Sequence, residues 1–199
     1  MRLLSASSLE IEEFMGHDVP QYAILSHTWG EEEYAFVDTC CIDKTSSAEV
    51  SEAINSMMNW YIRSDICFTY LEDVPATESI SDLYAKGSPF RPCRWFTRGL
   101  TRQELPAPPR LHFFSKCWKF LSKRNAIAAL ISGITRIDEF YLLHSPTLTS
   151  IAERMFWASN HETSRLEDTT YCLLGEIMKH SDDQSLLAWG FSQRRPCVR

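Results

Sequence analysis

A chain of 199 residues, 44% of them apolar and 23% charged, is long enough to bury a core without disulfide staples. Its net charge of −6 argues against a nucleic-acid binder, which would show a basic face. No apolar run approaches the ~18–20 residues of a membrane span, and Met1-Arg-Leu-Leu4 runs into polar Ser5–Ser8 without the apolar core of a secretion signal, so the sequence points to the cytoplasm.

Tyr22–Ser26, after Pro20, is an apolar run that predicts a buried strand, followed by a loop over Ser26–Gly30. Glu31–Glu33 is a solvated acidic patch, and Tyr34–Val37 predicts a second strand closed by Asp38. Ser46-x-x-Glu49 is a capping box, and Val50, Ala53, Ile54, Met57 and Tyr61 behind it form one helical face. Ile66–Leu71 predicts another strand, so the order strand, helix, strand implies an α/β fold with a parallel sheet. Residues 76–92, with Gly87, Pro89 and Pro92, predict a loop. Trp95–Leu105 predicts a short helix stopped by Pro106, Pro108 and Pro109, and Leu111–Phe114 a short strand.

From Ser122 the pattern turns helical. Ile127, Leu130, Ile131 and Ile134 make one stripe; Ile151, Met155 and Ala158 make another. Ser164-x-x-Glu167 caps a last helix that carries Tyr171, Leu174 and Met178 on one face. The expected architecture is an α/β part over 1–115 with strands at 22–26, 34–37, 66–71 and 111–114, then a helical part over 116–191. With no flexible linker between them, the two parts pack as one unit, and a frayed tail covers 192–199.

The common phosphate-cradling loops are absent, since the 7 glycines form neither G-x-G-x-x-G nor a Walker A loop. The 7 cysteines contain no C-x-x-C, and adjacent Cys40-Cys41 is a strained pair to bridge, so buried reduced thiols are expected. Asp38, Cys40, Cys41 and Asp43 lack zinc spacing, and nothing local activates either thiol for a nucleophilic pair with His27. His27 lies just past a strand end, where α/β folds place their sites. It suits either orientation of a phosphate or ribose, or a hydrogen bond holding the Trp29-Gly30 turn. Trp29 suits stacking or burial, and Asp38 follows an apolar strand that can aim it into the same cleft. Arg94 and Arg98 suit phosphate oxygens or carboxylate partners. Glu104 sits near a helix end, either as a helix-capping, solvated group or as a working carboxylate.

Three ordered blocks carry a family resemblance: Tyr22-Ala-Ile-Leu-Ser-His-Thr-Trp-Gly30, Val37-Asp-Thr-Cys-Cys-Ile-Asp-Lys44 and Arg94-Trp-Phe-Thr-Arg-Gly-Leu-Thr-Arg-Gln-Glu-Leu105. Together they resemble the fungal heterokaryon-incompatibility (HET) domain, with support from Arg154-Met155, Glu167-Asp168 and Tyr171-Cys-Leu-Leu-Gly175. The resemblance implies non-self recognition and programmed cell death, protein partners in incompatibility signalling, and self-association. It also implies distant kinship with the TIR domain, a flavodoxin-like α/β fold. Some TIR domains hydrolyse NAD with the glutamate of a W-C-x-x-E motif, and Leu100-Thr-Arg-Gln-Glu104 is the matching segment here. On that reading Glu104 is the catalytic carboxylate, stabilising an oxocarbenium-like ribose, and Ser26, His27, Trp29, Asp38 and Arg98 line the NAD site. NAD enters as substrate; no metal is implied.

This chain departs from the family pattern at Leu100 and Arg102. It is also shorter than the family between Phe36 and Val37 and between Gly175 and Glu176, which predicts a lost helix and strand at the first place. Three functions stand side by side: a signalling and interaction module, a TIR-like NAD glycohydrolase, and an inactive shortened member.

Overall fold

A computed structural model of the protein describes residues 1–14, 18–28, 41–42, 45–99 and 101–144. The chain opens with a hairpin that has no clear period in the sequence. Strands β1 (Arg2–Leu4) and β2 (Ile11–Glu13) pair antiparallel with Leu4 opposite Ile11. The turn closes by bonds from the Ser5 amide to the Glu10 carbonyl (2.8 Å) and from the Leu9 amide to the Ser5 carbonyl (2.9 Å). Arg2 ties the hairpin to the long helix through an ion pair with Glu49.

Strand β3 is Ala23–His27 and leads, through residues that lie outside those described, to helix α1 (Ser47–Arg63). The strand runs one residue further than the sequence suggests, because His27 pairs with Tyr70 of the neighbouring strand. The expected cap is present: the Ser46 hydroxyl accepts from the Glu49 amide at 3.3 Å. Among the described side chains of α1, Ala53, Met58 and Tyr61 are buried, with Met57 and Trp60 half-buried beside them. Tyr22 anchors the helix end by donating to the Trp60 carbonyl at 2.6 Å. Burial pushes its phenol up to about 12, partly offset by the positive charge of Arg63.

Strand β4 (Ile66–Tyr70) lies parallel to β3, and β5 (Leu111–Phe114) lies parallel to β4. Strand β6 (Phe120–Lys123) then returns antiparallel to β5, giving the order β3-β4-β5-β6. The parallel sheet read from the sequence is therefore present, and its strands at 66–71 and 111–114 match to within a residue. The candidate strand at 34–37 lies outside the described residues. Strand β6 is an addition: its four residues, between a turn and a helix, are too short to show a period.

Successive side chains along a strand alternate faces. Ile24, Cys67 and Leu111 form one row and Ser26, Thr69 and Phe113 the next, all buried on one face. The core lies on that face. There Trp95, Phe96, Phe90 and Phe113 meet edge to face, with centroids 5.2–5.7 Å apart. On the opposite face Leu25, Phe68, His112 and Phe114 are half-buried.

The stretch expected to be loop holds a short helix, α2 (Ile80–Tyr84), started by Asp82 accepting from the Ser79 amide at 2.9 Å. The helix expected over Trp95–Leu105 is broken. A 3-10 turn at Arg94–Thr97 stops where Arg98 turns extended, and α3 (Thr101–Glu104) restarts beyond it. Thr101 holds the break by donating its hydroxyl to the Trp95 carbonyl. After β6 come a second 3-10 turn (Arg124–Ile127), α4 (Ala128–Thr135) and α5 (Glu139–Leu143). Ile127, Leu130 and Ile131 of the expected stripe are buried, with Ile134 packed against them. The stripes at 151–158 and 171–178 lie outside the described residues. Among the described residues no helix is long and apolar enough to cross a membrane.

Candidate functional site

The described parts of the sequence blocks at 22–30 and 94–105 meet at the carboxyl end of β3. Inward-facing Ser26 is 1% exposed and carries two hydrogen bonds. Its hydroxyl accepts from the Trp95 indole N–H at 2.6 Å and donates to Oε2 of Glu104 at 2.7 Å. Glu104 is itself 4% exposed, on the last turn of α3. Arg98 completes the group: its Nη1 lies 3.7 Å from the same Oε2 and also donates to the His27 backbone carbonyl. One arginine thus ties the strand end to the buried carboxylate. His27 is buried at the end of β3.

A buried carboxylate is costly unless paired and hydrogen-bonded. Here a hydroxyl and a guanidinium supply both conditions, and the Trp95 indole of the aromatic cluster holds that hydroxyl from its other side. The field of Glu104 reaches the core face of β4. Burial, and after it the negative charge of Glu104, pushes the Cys67 thiol well above the usual range, so Cys67 is no thiolate. Cys93 is held protonated in the same way, by burial and by donating its thiol to Asp73 at 2.9 Å.

The structure therefore brings the Ser26, Arg98 and Glu104 side chains into one contiguous group, which His27 joins through its backbone carbonyl, its imidazole belonging to the other face of the sheet. Trp29 and Asp38 lie outside the described residues, as do Cys40 and Asp43 of the run weighed for zinc. Arg94 stands apart from the group; it is exposed, and its amide donates to Asp73 at 2.8 Å. The reading of Glu104 as a solvated, helix-capping group is corrected: it is packed among buried residues.

Two residues escaped the sequence reading. Trp95 lies inside the third block, but only the fold shows its N–H directed at Ser26. Arg124 is 4% exposed and seals the proline-rich stop after α3. It donates to the carbonyls of Leu105 (3.0 Å), Pro106 (3.2 Å), Pro108 (2.9 Å) and Pro109 (3.4 Å). Prolines cannot donate and break the helix, so these carbonyls have no helical partner and need an outside donor. Burial pulls the guanidinium down to about 10, which still leaves it charged at neutral pH. The signal that would have found Arg124 is the pattern Pro-x-Pro-Pro followed by a cation on the neighbouring strand end.

In class, this is an α/β domain of three parallel strands and one returning strand, with a hydrogen-bonded carboxylate buried at the strand ends. The sequence matches no family model and no solved structure. Over 203 residues it is 36% identical to the vegetative incompatibility protein HET-E-1 of Podospora anserina, a match covering 81% of this chain. The chain spans only 15% of the length of that protein. It is thus similar to a segment of a fungal heterokaryon-incompatibility protein.

Proposed function

We propose that this chain is a signalling module of fungal vegetative incompatibility that acts through protein contacts, and that Glu104 holds its fold together. Similarity to HET-E-1 supports the incompatibility role. The observation that carries the rest is the state of Glu104: 4% exposed, with Oε2 already engaged by Ser26 and Arg98. Cleavage of NAD needs a carboxylate in contact with the ribose. A substrate would have to displace a hydroxyl and a guanidinium to reach Oε2 of this one.

The NAD glycohydrolase is the second reading. The juxtaposition of Ser26 and Arg98 with Glu104 favours it, since these are among the residues the TIR-like resemblance assigns to the site. The parallel order β3-β4-β5 is compatible with TIR kinship. The aligned stretch of 203 residues exceeds the 199 of this chain while covering 81% of it, which supports the internal shortening read from the sequence.

The test is incubation of the purified protein with NAD, following nicotinamide release. No release is expected. Release that disappears in a folded Glu104→Gln variant would establish the hydrolase instead. In fungal cells, death on expression should persist in Glu104→Gln, because the signalling module needs the fold and not the charge.

A further inference from the structure

Among the described residues, two of the outer strands carry opposite charge. The first is β2, the outer strand of the amino-terminal hairpin. All its residues are exposed, with Ile11 48% and the adjacent Leu9 74% exposed. Glu10, Glu12 and Glu13 make this edge acidic, and among the described residues none of them has an ion-pair partner. Its partner β1 is half-buried and faces inward, through Arg2, toward α1.

The second edge is β6, the last strand of the four-stranded sheet. Phe120 is 47% exposed there, and Lys123 is exposed too. Trp118, 53% exposed in the turn before it, stacks on Tyr70 at 4.7 Å, so this aromatic is fixed rather than loose. Phe114 meets both Trp118 (6.0 Å) and Phe120 (5.8 Å), extending the aromatic surface across the open face. Lys116, Lys119 and Lys123 flank it along the chain, and Arg110 precedes β5. Lys119 pairs with Glu78 and Arg110 with Asp65, whereas Lys116 and Lys123 have no ion pair among the described residues. The positive field is felt locally: after burial, Lys123 and Arg110 hold the His112 ring below its ordinary range.

An open strand edge is a template for pairing, and charge is a usual protection against it. Here the protection is one-sided. Two β2 edges would set glutamates against glutamates, and two β6 edges lysines against lysines. A β2 edge against a β6 edge sets glutamates against lysines and Leu9 and Ile11 against Trp118 and Phe120. We propose that this protein associates head to tail, with β2 of one copy laid along β6 of the next. Because the two patches differ, the contact is heterologous and each copy keeps one free patch at either end. It therefore builds chains or rings, not a twofold pair. This does not rest on the signalling role: either can fail without the other.

Sedimentation velocity of the protein over ~10–500 µM, the range of small interfaces, tests it. The expected result is growth past dimer with concentration, reversed by ~0.5 M salt, where screening suppresses exposed charge attraction. The double variants Glu10→Lys/Glu12→Lys and Lys119→Glu/Lys123→Glu should each raise the concentration for half-association by roughly tenfold or more. Mixed together, they should associate again, because each supplies the sign the other lost. A monomer at every concentration, a closed dimer, or association indifferent to both salt and charge reversal would overturn the proposal. The salt series needs only the unaltered protein, so it decides even if a variant misfolds.

Discussion

Glu104→Ala tests whether the buried carboxylate is structural. The substitution leaves the Ser26 hydroxyl without its acceptor at 2.7 Å and removes the group Arg98 faces at 3.7 Å. A hydrogen bond to a buried charged group contributes about 1.5–3 kcal/mol. Arg98 is 24% exposed and rehydrates, so its share is under about 1 kcal/mol. The space left by the carboxyethyl group adds about 1 kcal/mol. The sum is about 3–4 kcal/mol, and for a domain of this size each kcal/mol lowers Tm by roughly 2–4 °C. Glu104→Ala should thus melt about 10 °C below the parent, with a matching shift in the urea midpoint. Glu104→Gln keeps an oxygen for Ser26 and should cost less than about 1.5 kcal/mol. An alanine variant within ~0.5 kcal/mol of the parent would refute a structural role for Glu104. A glutamine variant as unstable as the alanine one would show that charge, not the hydrogen bond, matters.

Arg124→Met should destabilise by about 3 kcal/mol or more, since the carbonyls of Leu105, Pro106 and Pro108 lose a charged donor, and Arg124→Lys should recover only part of it; urea unfolding of the two variants reads the difference. Tyr22 has its folded pKa raised from 10.0 to about 12, so the folded state holds its proton more tightly than the unfolded one. Its contribution is fully present below pH 10 and is lost as pH rises through about 12. Stability should fall over that window, and Tyr22→Phe should flatten the fall. His112 should titrate below its ordinary value by NMR, and Lys123→Ala should move it upward. Alkylation followed by peptide mapping should label exposed Cys117 and spare buried Cys67 and Cys93, whose thiols are held protonated; labelling of Cys67 at the rate of Cys117 would contradict the packing of β4.

Residues with a long period were legible in the sequence. The Ser46 cap, helix α1 behind it, and strands β4 and β5 follow from apolar spacing and turn chemistry, and each is found within a residue or two. Most short elements were not legible. Strands β1, β2 and β6 are too short and too mixed in polarity for alternation to be told from chance, whereas β5, no longer than β6, is marked by its apolar run after the prolines. The break between the 3-10 turn and α3 depends on Thr101 reaching the Trp95 carbonyl, a tertiary choice that helix propensity does not encode. For the site, the family resemblance grouped Ser26, His27, Arg98 and Glu104, but the residue pattern by itself could not show the direct Ser26–Glu104 bond, because it depends on a sheet that places position 26 beside position 104. The role of Trp95 as the donor behind Ser26 was hidden for the same reason.

That distance along the chain also bears on time. The Ser26–Glu104 bond joins residues 78 apart, the Trp95–Ser26 bond residues 69 apart, and the Arg98–His27 bond residues 71 apart. Such contacts close only after β3, β4 and the turn beyond them are already assembled, since loop closure over long separations comes before the reward. Interactions made after the rate-limiting step slow unfolding without hastening folding. The buried group therefore acts as a clasp that sets how long the native state lasts, and its removal should appear in the unfolding limb of a stopped-flow chevron while the folding limb stays nearly unchanged.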